Sequence, residues 1–86
     1  MTLKQATNLK EDIGKNIRPF DYCEDVYLSI KGIGNKSFRN CTYLESEGWL
    51  FIWTESESFI INTNDIGDFI FIPVKSCDSF QFSNHR

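Results

Sequence analysis

The chain has one histidine, one methionine, two prolines and no cysteine pair at metal-binding spacing among its 86 residues. Each shortage excludes a class of chemistry. A Ser–His or Cys–His couple needs an imidazole held rigidly against the nucleophile, whereas His85 is the penultimate residue, where chains usually fray. Cys23, Cys41 and Cys77 are odd in number and widely spaced, with no Cys-x-x-Cys and no neighbouring histidine, so no zinc site is predicted. Glycine is equally sparse where phosphate chemistry would need it. Gly32-Ile33-Gly34 supplies two glycines of a dinucleotide loop, with neither the third nor a following helix. Residues 62–68 have the polarity of a calcium loop, but Ile66 stands where an oxygen ligand is required, so a hairpin turn is predicted there.

Positive charge is also in short supply. Twelve acidic against nine basic residues leave a net charge of −3, which opposes phosphate backbones and favours a neutral or basic partner. No run approaches the roughly 18 apolar residues of a membrane span, and the first residues, Met1-Thr2-Leu3-Lys4-Gln5, lack the pattern of a secretion signal. Reduced, inert cysteines and a cytoplasmic location are therefore expected. The triplets Asn35-Lys36-Ser37 and Asn40-Cys41-Thr42 would accept glycans only in a secreted chain.

What the chain does have is aromatic: 15% of residues, with eight phenylalanines. A core of rings and β-branched side chains is a strand-former's core. A single domain over 1–86 is expected, since a chain this short buries only about 60–65% of its unfolded surface. Leu3, Ala6, Leu9 and Ile13 recur at helical spacing, predicting a helix over 2–14 with Thr2 and Gln5 as a capping box and Gly14 as a left-handed stop. That helix is too short to stand alone and must dock on the sheet.

From Val26 the period becomes two. Strands are predicted over 26–30, 38–45, 49–54, 58–62 and 69–72, with Pro73 ending the fifth and 79–82 forming a short sixth. Ser46-Glu47-Gly48 reads as a three-residue hairpin loop, which sets Glu45 opposite Trp49, Tyr43 opposite Phe51 and Cys41 opposite Trp53. Strand three, Trp49-Leu50-Phe51-Ile52-Trp53, is apolar on both faces, so it should lie within the sheet with the core on one side and the helix on the other. The predicted fold is mainly β with one N-terminal helix (α+β), a small, strongly bent antiparallel sheet or barrel of five to six strands over 24–83. The succession of a strand, Ile72-Pro73-Val74, one helical turn and Ser79-Phe80-Gln81-Phe82 resembles the strand, 3₁₀ turn and closing strand of SH3-like and Sm-like barrels. The resemblance is architectural and implies no function.

Carboxylates at Glu45, Glu47, Glu55, Glu57, Asp65 and Asp68 fall at predicted turns, where solvated groups keep ordinary pKa values and serve poorly as acid and base. No catalytic, cofactor-binding or metal-binding residue is assigned. The chain is expected to be a non-catalytic protein-binding module, an inhibitor or regulator that occupies a surface of a basic partner such as a nucleic-acid-processing enzyme. Tyr43, Trp49, Phe51 and Trp53 would provide an aromatic centre with Glu45 and Glu47 at its rim. One alternative is stacking of single-stranded nucleic acid on the same rings, as on small Sm- or OB-type barrels, although a positive groove is lacking. Another is self-assembly through an edge strand near 69–72. Trp49, nearest the turn, is the ring expected to stay accessible.

Overall fold

A computed structural model describes residues 1–73; the predicted turn and sixth strand at 74–82 lie outside the described residues. The chain forms α1 (Leu3–Gly14), a 3₁₀ turn (Pro19–Asp21), β1 (Glu24–Ile30), β2 (Gly34–Ser46), β3 (Trp49–Trp53), β4 (Ser58–Asn62), a second 3₁₀ turn (Thr63–Asp65) and β5 (Ile66–Pro73). All pairings are antiparallel, in the order β4-β3-β2-β1-β5. A mainly β fold with one N-terminal helix is thus observed. Among the described residues β4 and β5 are the two edges, and the sheet is not closed into a barrel.

The bend is built into β2. Its first part pairs with β1 and its last part with β3, and between the pairs Val26↔Phe38 and Glu24↔Cys41 two residues of β2, Arg39 and Asn40, oppose one of β1, Asp25. The extra residue forms a bulge, which turns a strand more sharply than regular pairing can. Asn40 adopts φ 54° there, a left-handed conformation that asparagine tolerates better than most residues. Its N–H donates to Asp25 Oδ1 at 3.0 Å, and Arg39 Nε lies 3.8 Å from Asp25 Oδ2. One carboxylate thereby holds the corner.

Folding at this corner closes the sheet's two halves over a main core. Val26, Leu28 and Ile30 of β1 meet Leu50 and Ile52 of β3, with Phe38 and Cys41 from β2, and Phe59, Ile61 and Phe71 pack around them. On the opposite side of β3, α1 covers a second cluster of Ala6, Phe51 and Trp53, joined by Leu9, Ile13, Trp49 and Ile60. The β3 strand is therefore sandwiched as its two-sided apolarity requires.

The helix begins with the predicted capping box: Gln5 N–H donates to Thr2 Oγ1 at 3.2 Å and Thr2 N–H to Gln5 Oε1 at 2.9 Å. Its end differs from expectation. Gly14 is not left-handed, and the following Lys15 is right-handed helical at φ −66°. The glycine serves contact instead, because a Cβ there would come within 3.1 Å of Trp53 Nε1.

Two further expectations are corrected. The β2–β3 loop has two residues, Glu47 at φ 48° and Gly48 at φ 86°, so Ser46 faces Trp49, Glu45 faces Leu50 and Tyr43 faces Ile52. This is the primed turn whose twist matches the flanking strands, and it moves the pairing by one residue. Residues 62–68 do not form a hairpin either. The 3₁₀ turn at Thr63–Asp65 carries the chain from one edge of the sheet to the other. It is fastened at both ends: Thr63 N–H donates to Gly48 O at 2.9 Å, and Lys31 N–H to Asp65 O at 2.6 Å.

Candidate functional site

The six residues singled out from the sequence do not assemble into one surface. Residues facing each other across an antiparallel pair share a face, so the observed register puts Tyr43 with Leu50 and Ile52 on the inner side of the hairpin. There its ring stacks on Phe71, with centroids 3.8 Å apart and planes 7° from parallel. Trp49, Phe51 and Trp53 point the other way, toward α1. Phe51 is 0% exposed and Trp53 5%. Trp49 is half-buried.

Both indoles are satisfied by the N-terminal segment, one within α1 and one at the residue before its cap. Trp53 Nε1–H donates to Lys10 O at 3.0 Å, and Trp49 Nε1–H to Met1 O at 2.9 Å. A buried N–H without an acceptor is costly, and these two bonds give the rings a polar handle on an otherwise apolar contact. Glu45 and Glu47 are exposed, the first on the inner side of the hairpin next to Leu50 and the second in the turn itself.

Among the described residues an exposed apolar surface lies elsewhere, on the outer face of β1 and β5. Tyr27 faces Ile70 across the pair and Asp25 faces Ile72, so Tyr27, Ile70 and Ile72 lie together on the side away from the main core. They are 37%, 59% and 46% exposed. Beside them runs an open trough of about 420 Å³, bordered by Tyr27, Ser29, Asn35, Ser37, Asp68 and Ile70. The sequence carries a signal for this surface: residues 69–72, Phe-Ile-Phe-Ile, are apolar on both faces, and α1, the one α-helix among the described residues, is taken up by β3.

The ionisable groups offer little chemistry. Burial pushes the Cys41 thiol up to about 11, assisted by the nearby carboxylates of Asp25 and Glu24, which makes it a poor nucleophile. Burial, with Glu24 second, also raises the Tyr43 phenol. Cys23 is disulfide-bonded, against the expectation of three reduced cysteines, while Cys41 is free. Among the described residues no group of three or more His, Cys, Asp or Glu side chains could hold a metal ion, and no helix is long and apolar enough to cross a membrane. No family model, curated protein or solved structure matches the chain.

Proposed function

We propose that the chain is a small non-catalytic module that binds another protein and acts as an inhibitor or regulator by occupying a basic surface. The observation that carries this reading is the exposed Tyr27–Ile70–Ile72 face, which includes β5, an edge strand among the described residues. Contiguous exposed apolar groups on a small domain are a common mark of an interaction surface. Charge supports the sign of the partner: Glu45, Glu47, Glu55, Glu57, Asp65 and Asp68 are all exposed, and the net charge is −3.

Affinity capture with the tagged full chain, after nuclease treatment and at moderate salt, tests the reading. A specific basic protein should be retained by the wild type and lost by the Tyr27→Thr/Ile70→Thr variant. Capture that depends on nucleic acid, or that ignores these substitutions, argues against it.

Self-assembly is a second reading, favoured by the position of β5 at the edge of the described sheet, where its backbone could pair with another copy. A sedimentation coefficient independent of concentration would remove it. A cytoplasmic setting belongs to the same proposal and rests on the free, buried thiol of Cys41. The disulfide at Cys23 weighs on the other side.

A further inference from the structure

We propose that the open end of the main core is a receptor for one arginine or lysine side chain of a protein partner, held between the Phe69 ring and the Glu45 carboxylate. The inference rests on the protein-binding reading and specifies the chemistry of a contact it would make.

The notch arises from the way two rows of side chains end. On the inner side of β2 the alternation runs Cys41, Tyr43, Glu45, so a carboxylate takes the third place in a row whose first two places are core. On β5 the inner row runs from Phe71, stacked on Tyr43, to Phe69, whose ring centroid lies 4.9 Å from that of Phe71 at a 45° tilt. Phe69 faces buried Leu28 in the register, yet it remains 47% exposed. Between these row ends is a cavity of about 140 Å³ lined by Glu45, Leu50, Thr63, Ile66, Phe69 and Phe71.

The lining selects its occupant. Leu50, Ile66 and the two phenylalanines provide apolar walls, and Glu45 contributes the one ionisable side chain of the lining. A long aliphatic stem ending in a cation satisfies both parts, with its methylenes on the walls and its charge against the carboxylate. Arginine fits best, because its planar guanidinium can lie on an aromatic face while presenting paired donors to a carboxylate. A neutral apolar group would desolvate Glu45 without pairing it. An acidic side chain or a phosphate would be repelled. The exposed carboxylates of the neighbouring turns, Glu47 and Asp65 among them, favour approach of the same sign of partner.

The test is an NMR titration of the isotope-labelled full chain with capped Gly-Arg-Gly, and with capped Gly-citrulline-Gly as a neutral mimic of nearly the same shape. The expected result is saturable shift changes at Glu45, Leu50, Phe69 and Phe71 with the arginine peptide, and binding weaker by about tenfold or more for citrulline, the loss typical of a charge-assisted bond. Glu45→Gln, an exposed substitution that should preserve the fold, is expected to weaken arginine binding by a similar factor. Equal binding of the two peptides, shifts scattered over all surface carboxylates, or no effect of Glu45→Gln would overturn the proposal. Partner capture separates its failure from that of the broader reading. If the notch is wrong, Glu45→Gln still captures the partner and Tyr27→Thr/Ile70→Thr does not. If the binding-module reading is wrong, neither variant alters capture, whatever the peptides do.

Discussion

The face of β3 under the helix and the outer face of β1 and β5 begin from the same material and end differently. Trp49, Phe51 and Trp53 line one; Tyr27, Ile70 and Ile72 line the other. The first is covered by α1 and tied by two indole-to-carbonyl bonds, one to α1 and one to Met1 ahead of it; the second is exposed among the described residues. Aromatic density alone therefore does not mark a binding surface. In a bent sheet with two outer faces and one α-helix among the described residues, what is exposed there depends on which face that helix takes. Trp53 and Phe51 offer the larger apolar area, and burying the larger area yields the larger gain.

Removing the cover should break the comparison most severely. Deletion of residues 1–16 strips α1 from Phe51 and Trp53, and at ~1.5–3 kcal/mol for each of these two side chains re-exposed the loss should reach about 3–6 kcal/mol. Much of an ordinary domain's stability would go with it. Circular dichroism should show a melting transition that is lost or greatly lowered. An unchanged transition would mean the helix contributes nothing to the fold.

A subtler cut sharpens the role of the indole bonds. Trp49→Phe keeps a ring but removes the N–H that donates to Met1 O, and should cost about 0.5–1.5 kcal/mol in denaturant unfolding. On the uncovered face the same measurement should register almost nothing. Tyr27→Thr/Ile70→Thr retains β-branched strand formers at exposed sites, and its stability should stay within about 0.5 kcal/mol of wild type. A larger loss would show that the outer face is held by contacts within the chain.

Much of the covered face was legible in the sequence, and the reason is periodicity. Leu3, Ala6, Leu9 and Ile13 on a three- and four-residue repeat, with Thr2 and Gln5 at the start, specify α1; the double-sided apolarity of 49–53 specifies its dock. The register was not legible to within one residue. Ser46-Glu47-Gly48 is compatible with a loop of two or three residues, and the choice depends on Glu47 accepting a positive φ, which composition does not announce. That single step sent Tyr43 to the inner face, away from the tryptophans. Residues 62–68 misled for a related reason: a polar turn between two strands looks the same whether the strands pair or, as for β4 and β5, lie at opposite edges. The bulge at Asn40 was invisible because it depends on Asp25, fifteen positions away.

The smallest effect concerns Cys41, which sits in the main core beneath both faces. Its thiol is raised from 9.0 to about 11, so the fold favours the protonated form. That stabilisation is fully present below about pH 9 and is lost as the pH rises through about 11. The melting temperature should decline across this window, with Tyr43 contributing in the same direction. At pH 8 a thiol-alkylating reagent should modify Cys41 only after denaturant is added. Rapid alkylation of the native chain would place Cys41 outside the core.

Hydroxyl-radical footprinting of the isolated chain reads both faces in one measurement. The expected result is fast oxidation of Tyr27, Phe69, Ile70 and Ile72, an intermediate rate at Trp49, and protection of Phe51 and Trp53 despite the high intrinsic reactivity of aromatic rings. Oxidation of Phe51 and Trp53 at the rate of Tyr27, or protection of Ile70 and Ile72 in the monomer, would contradict the assignment of the β3 rings to the core and of the β1–β5 face to a partner.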